Sequence, residues 1–246
     1  MPLFLQKPLS NLLIFSVGIA LLLTAASCGT KKYLKPGETF LEKNTILFED
    51  AKSVRNKRNL KYELSTIYKQ KPNEKLLGLP IRLRRWYYYR TSSPSDTSWF
   101  KRFIRNNIAE VPSIYDNKLS ESTAKTMEYY LHNKGYLDAK VSYKPFYKKH
   151  KTYVTYFVSP EARYTIDTVD YISTDKRIQN ILRTSKEESS LKAGKAVSEG
   201  TFGREMGRII NKLQNMGYAY FDKNFISPIG FYDTVQHKEN ILYALR

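Results

Sequence analysis

Cysteine is almost absent: Cys28 is the only one in 246 residues. That excludes an internal disulfide and any cysteine-based metal cluster. Histidine is nearly as scarce. His132, His150 and His237 are scattered, and none has metal-ligand spacing with a cysteine or a carboxylate. No G-x-x-x-x-G-K-[ST] phosphate loop is present, although Gly203 and Gly207 open a helical stretch. Asp167 and Asp170 are close in sequence, but in a strand they point to opposite faces and make a poor carboxylate pair. No catalytic constellation is recognisable. The sequence therefore reads as a non-enzyme, with no cofactor and no metal. Acidic residues are also short, 23 Asp and Glu against 41 Lys and Arg, which gives a formal net charge of +18.

That charge suits an anionic partner: nucleic acid, a membrane surface or an acidic protein. The mean hydropathy of −0.51 and the hydrophobic fraction of 41% describe a chain that is soluble in bulk and able to build cores. Its length leaves room for about two domains.

The N-terminus reads as a secretion signal. Lys7 and the α-amine make a positive start, and Leu12 to Leu23 is an apolar run. The run is short of the roughly 20 residues a bilayer span needs. It ends in Thr24-Ala25-Ala26-Ser27-Cys28. Small residues before a lone cysteine resemble a lipobox, with Ala25 where leucine is usual. Residues 1–27 are then a signal peptide, Cys28 the lipid attachment site, and 28–43 a tether with Pro36-Gly37 as a turn. Without residues 1–27, which hold one lysine and no acid, the charge is 18 − 1 = 17, still positive. Signal cleavage without lipidation and a simple transmembrane anchor are the alternatives. Gly29, Thr30, Lys31 and Lys32 follow the cysteine with no acidic residue, which points to a lipoprotein facing the periplasm.

The rest of the chain is organised by a phrase that occurs twice. Leu131-His132-Asn133-Lys134-Gly135-Tyr136 returns as Leu213-Gln214-Asn215-Met216-Gly217-Tyr218, an offset of 217 − 135 = 82 residues. Each copy ends a helix-patterned stretch, where a glycine closes the last turn in a left-handed conformation. An internal repeat of this period implies copies of one small domain. In the first copy, Asn44–Glu49 reads as a strand. Leu60–Gln70 reads as a helix ended by Pro72, with Leu60, Leu64, Ile67 and Tyr68 on one face. Ser120 caps a helix carrying Ala124, Met127 and Leu131, and Gly135 closes it. Strands at Asp138–Tyr147 and Thr152–Val158 make a hairpin around the basic turn Lys148–Lys151. The second copy has a strand at Tyr164–Ile172 and a short helix capped by Asp175. A loop at Lys192–Gly200 leads to a helix bearing Phe202, Met206, Ile209, Ile210, Leu213 and Met216. Strands at Tyr218–Ile226 and Glu239–Leu245 complete it.

Residues 71–118 have no counterpart and read as an insertion. Within it, Arg82, Arg84, Arg85 and Arg90 interleave with Trp86, Tyr87, Tyr88 and Tyr89. Such a stretch can stack on nucleic-acid bases or sit among headgroups. It is also what a half-buried element with a solvated basic face looks like. Further on, Trp99, Phe103, Ile104 and Ile108 fit one helix face.

The order strand-helix-helix-strand-strand, with L-x-N-x-G-Y at the second helix end, resembles the polypeptide-transport-associated (POTRA) domain. The stretch Tyr68-Lys69-Gln70-Lys71-Pro72-Asn73-Glu74-Lys75-Leu76-Leu77-Gly78 resembles a phrase of lipoprotein-type BamA/TamA family proteins. So does Glu110-Val111-Pro112-Ser113-Ile114-Tyr115-Asp116. The resemblance implies an α+β fold of two tandem POTRA-like units, 44–160 with the insertion and 161–246. It implies a role in outer-membrane protein assembly or translocation, at the outer membrane through the lipid anchor. Family members continue into a β-barrel. No run here supplies its alternating lipid-facing strands, so the sequence is a fragment or a barrel-less module. Unfolded outer-membrane proteins are the expected clients, with a barrel on a following segment or a partner chain, and no nucleic acid. Clients would pair with an exposed sheet edge. The second strand of a repeat is the expected edge, at Asp138, Lys140 and Tyr143 or at Tyr218, Tyr220 and Phe225. The alternative is a basic envelope module that grips anionic lipid or polymer through residues 82–90 and 148–151.

Overall fold

A computed structural model describes residues 30–49, 54–75, 82–92 and 98–246. Residues 1–27, read from the sequence as a signal peptide, and Cys28 lie outside the described residues, as do Leu76, Leu77 and Gly78. Contact density divides the chain into two compact units. In their described parts, one comprises residues 30–45, 68–120 and 143–155, and the other 46–67, 121–142 and 156–246.

The architecture is α+β, as the sequence implies. β1 (Phe40–Phe48) is followed by α1 (Lys57–Thr66), α2 (Leu83–Thr91), α3 (Trp99–Asn107) and α4 (Asn117–Asn133). The hairpin strands β2 (Lys140–Lys148) and β3 (Lys151–Ser159) come next. β4 (Thr165–Ser173), α5 (Lys176–Thr184), α6 (Glu199–Asn215), β5 (Ile226–Asp233) and β6 (Lys238–Leu245) then repeat the order without the insertion. The strands form two three-stranded sheets of like topology, β1-β3-β2 and β4-β6-β5. In the second, β4 runs parallel and β5 antiparallel to the central β6.

The repeat is deeper than its six-residue phrase. α4 and α6 are both 17 residues long and start 199 − 117 = 82 residues apart. Asp116 and Ser198, at the same offset, accept hydrogen bonds from backbone amides in the first turns of these helices. Leu131 and Leu213 are fully buried. Gly135 and Gly217 have φ of 91° and 100°. Behind them the Tyr136 and Tyr218 amides reach five residues back to the Leu131 and Leu213 carbonyls, both at 3.0 Å. That is the closing bond of a Schellman motif.

Several boundaries differ from the sequence reading, each for a local reason. β1 begins at Phe40 rather than Asn44, because Phe40 and Leu41 are buried and their amides bond the His150 and Ser113 carbonyls. α1 starts earlier, capped by Asn56, and ends at Thr66. There the Ser65 and Thr66 hydroxyls turn back onto the Tyr62 and Glu63 carbonyls. Ser120 is not a cap: Asp116 takes that place, and Ser120 is buried inside α4. Met216 lies beyond the end of α6 and is exposed, so it leaves the core stripe that Ile209 and Leu213 anchor. The largest shift is in the second repeat. The strand expected from Tyr218 starts at Ile226, because Tyr218 closes α6 and Asp222 caps a 3-10 turn at Lys223–Phe225.

The two phrases that carry the family resemblance bond to each other. The buried Asn73 side chain donates to the Val111 carbonyl (2.7 Å) and accepts from the Ser113 amide (2.9 Å). Gln70 donates to the Ile114 carbonyl and accepts from the Asp116 amide. The Glu74 amide donates to Glu110. This clasp ties the two ends of the insertion together.

The paired glycines make a test of the packing around each helix end. A Cβ on Gly217 would meet nothing within 4 Å, whereas one on Gly135 would lie 2.2 Å from the Val197 carbonyl oxygen. In urea unfolding of the purified protein, Gly217→Ala should cost about 1–2 kcal/mol, the penalty of positive φ alone. Gly135→Ala should cost clearly more, because a main-chain carbonyl must also move.

Candidate functional site

Unpaired backbone N–H and C=O groups on a strand edge are the binding chemistry this fold offers. Four strands lie at sheet edges: β1, β2, β4 and β5. The first strand of each sheet is covered at its start. On β1, the Leu41 amide donates to Ser113 and the Tyr115 amide to Thr39, with a bridge between Phe40 and Ile114. On β4, the Ile166 amide donates to Lys195, and the Gly194 and Val197 amides donate to Ile166 and Tyr164, with a bridge between Thr165 and Ala196. Ile114 and Ala196 are again 82 residues apart (196 − 114). Among the described residues, β2 and β5 pair with one neighbour only.

These two edges are not equivalent. β2 carries Lys140, Lys144 and Lys148 at exposed positions, and lysines along an edge discourage pairing. β5, with the sequence I-S-P-I-G-F-Y-D, has no lysine or arginine and exposes Ile229, Phe231 and Tyr232. Pro228 fits an edge strand whose N side faces away from the ladder. A groove of about 390 Å³ lies between β5 and the first turns of α6, walled by Phe202, Met206, Pro228, Ile229, Tyr232 and Ile241. Its charged lining is acidic, Glu199 and Glu239.

Glu239 is 2% exposed and faces inward from the central strand, opposite Tyr232 of β5. Its Oε2 has no hydrogen-bond partner among the described residues. Gly230 makes room for it, since a Cβ there would lie 2.2 Å from Glu239 Oε1. Burial pushes the Glu239 carboxyl up to about 7, with the Tyr232 hydroxyl offsetting part of the rise. A second buried glutamate, Glu205 on α6, shows the opposite balance. Burial raises it too, but donors outweigh burial and hold it below the usual carboxylate range. They are Arg208 (2.6 Å), the Tyr171 hydroxyl (2.6 Å) and the Ser190 amide (2.7 Å). Glu205 is thus structural, and Glu239 is the carboxyl with bonding capacity to spare.

The residues singled out from the sequence fall as follows. Lys140 and Tyr143 lie on the edge strand β2, while Asp138 lies in the turn before it. Asp138 there accepts from the Tyr164 hydroxyl at 3.0 Å. Tyr218, Tyr220 and Phe225 precede β5 and are not edge-strand residues. The basic stretch forms α2, and its arginines have partners inside the protein. Arg82 pairs with Glu42 at 3.3 Å, Arg84 with Glu74 at 3.0 Å, and Arg90 lies over the Trp86 ring. Arg85 is buried with its guanidinium 3.8 Å from the Phe40 ring centroid. Among the described residues, no group of three His, Cys, Asp or Glu residues is placed to hold a metal. No described helix is long and apolar enough to cross a membrane.

No protein-family model matches the sequence, and no curated protein does. Solved structures are similar at low identity. Haemophilus influenzae BamA POTRA3-5 is 15% identical, with 87% of this chain and 68% of that one covered at a TM-score of 0.41. POTRA1-2 of the periplasmic domain of Omp85 from Anabaena is 8% identical, with 85% and 96% covered at a TM-score of 0.41. BamA from Haemophilus ducreyi lacking POTRA domains 1-3 is 14% identical at a TM-score of 0.34, and 27% of its length is covered.

Glu239 makes stability depend on pH. Its folded-state value, near 7, lies above the ordinary 4.5. The native state therefore holds the proton more tightly than the unfolded chain. The stabilisation is full below about pH 4.5 and is lost as the pH rises through 7. Glu239→Gln should remove up to about 3 kcal/mol of this dependence. Urea midpoints measured from pH 5 to pH 8 in both proteins check it, and parallel profiles would refute it.

Proposed function

We propose that the chain is a periplasmic module of outer-membrane protein assembly that binds extended, unfolded client strands along β5 and catalyses nothing. The observation that supports this reading most is the open β5 edge. It lacks the lysines that guard β2 and the crossing segments that cover β1 and β4. A client strand pairs through main-chain hydrogen bonds, which read little side-chain identity and so suit many clients. Each bond is worth about 0.5–1.5 kcal/mol net, so binding is transient and the client can be passed on. The apolar groove beside β5 receives alternate side chains of the added strand.

In this reading Cys28 carries lipid and holds the module at the outer membrane, facing the periplasm, with a β-barrel on a following segment or a partner chain. The secretion signal argues against nucleic acid. Of the contacts that the competing polyanion reading needs, Arg82, Arg84 and Arg85 are engaged within the protein, while Lys148 and Lys149 are exposed.

Two measurements test the proposal. Peptides copied from barrel strands, titrated into the protein, should shift backbone amides of Gly230 to Asp233. Versions N-methylated at alternate residues on the pairing edge should not, because they lack the donors. The shifts should persist at high salt. Shifts confined to Arg82–Arg90 that vanish with salt would support polyanion binding instead. For the anchor, Cys28→Ser should abolish labelling by radioactive palmitate and release the protein from membranes. Unchanged labelling would rule out Cys28 as the lipid site.

A further inference from the structure

α3 is amphipathic, but its apolar side faces the wrong way for a helix that serves a core. At 100° per residue, Trp99, Phe103, Phe100 and Ile104 fall on one arc, and Lys101, Arg105 and Arg102 on the other. Only Ile104 of the apolar arc is buried. Trp99, Phe100 and Phe103 are 77%, 55% and 51% exposed. Lys101 and Arg105 on the cationic arc are more sheltered than the aromatics. Three large aromatics on one short helix leave a contiguous apolar patch in water, which marks an interaction surface rather than chance exposure.

The chemistry around the patch indicates what covers it. Arg102 is exposed beside the aromatics, and Lys101 and Arg105 flank it. The nine residues of α3 contain no acidic side chain. Tryptophan and phenylalanine on one face with lysine and arginine on the other is the composition of helices that lie in the headgroup region of an anionic bilayer. Long cationic side chains there reach lipid phosphates while their stems lie along apolar surface. A protein partner of matching shape would need acidic groups around an apolar socket. A bilayer containing anionic phospholipid provides both without a specific fit.

We infer that α3 is a membrane-contact element that inserts Trp99, Phe100 and Phe103 among the headgroups and acyl-chain ends of anionic phospholipid. α3 supplies a protein-borne attachment that does not depend on Cys28 or on client binding at β5.

The chain holds two tryptophans, Trp86 and Trp99. In a Trp86→Phe background Trp99 is the sole reporter. The full chain is reconstituted in vesicles of phosphatidylcholine alone, or of phosphatidylcholine with phosphatidylglycerol, each carrying brominated acyl chains that quench tryptophan on contact. Trp99 emission should shift to the blue and be quenched severalfold more with phosphatidylglycerol than without it. Added salt should reduce the effect. A Phe100→Ser/Phe103→Ser variant should lose most of the quenching, and Arg102→Glu/Arg105→Glu should lose its dependence on phosphatidylglycerol. Emission unchanged by phosphatidylglycerol would overturn the inference. So would crosslinking through residue 99 to a second copy of the chain, which would assign the patch to self-association.

Discussion

Backbone groups at a strand edge must find partners or face water, and the arrangement of both sheets follows from that requirement. In each repeat the chain crosses the first strand just before its long helix and hydrogen-bonds to it there. The crossing segment covers one edge, places the helix cap at the next residue or two, and sends the helix back over the sheet. The last strand is in the centre. Among the described residues, the strand second in sequence, β2 or β5, has no crossing segment on its outer side. The proposed client strand would add to an edge of this kind, one that the fold has no segment left to cover.

The two buried glutamates of the second sheet show how burial alone does not decide a carboxyl's behaviour. Glu205 and Glu239 are both removed from water. Glu205 is surrounded by donors from three segments and acts as a rivet joining α6 to β4 and the loop at Ser189–Ser190. Glu239 has Tyr232 and apolar neighbours. The first kind of site stabilises the fold. The second costs stability, and it lies in the groove beside the open strand.

Much of this was legible in the sequence, and the limits are physical. The glycine-ended helices and the strand-helix-helix-strand-strand order follow from periodicity and from the conformational freedom of glycine. Gly135 and Gly217 have positive φ, and Asp175 caps α5 through the Arg177 and Ile178 amides. Tyr218–Phe225 misled because its aromatics have strand propensity, while the capping bond of Asp222 and the closing bond of Tyr218 override it. Glu205 and Glu239 carried a readable signal that was missed. Glu205 sits three residues after Phe202 and four before Ile209, within the apolar stripe of α6. Glu239 alternates in phase with Ile241, Tyr243 and Leu245. A charged residue in phase with a core face is either paired or a site. The clasp between residues 70–74 and 110–116 was not readable, because long-range side chain to backbone bonds leave no periodic trace.

That clasp has a consequence for how the chain tolerates change. Joining the ends of a flexible segment costs an entropy that grows only slowly with its length. Gln70, Asn73 and Glu74 join the ends at the base of the insertion. Within the segment, α2 is tied to β1 through Arg82 on Glu42 and Arg85 on Phe40, so the exchangeable part is what lies beyond α2. Evolution can rewrite it to suit a different surface while the edge geometry stays constant. Grafting a foreign hairpin or helix after α2, with the five hydrogen bonds of the clasp kept, would retarget the scaffold without redesigning its core.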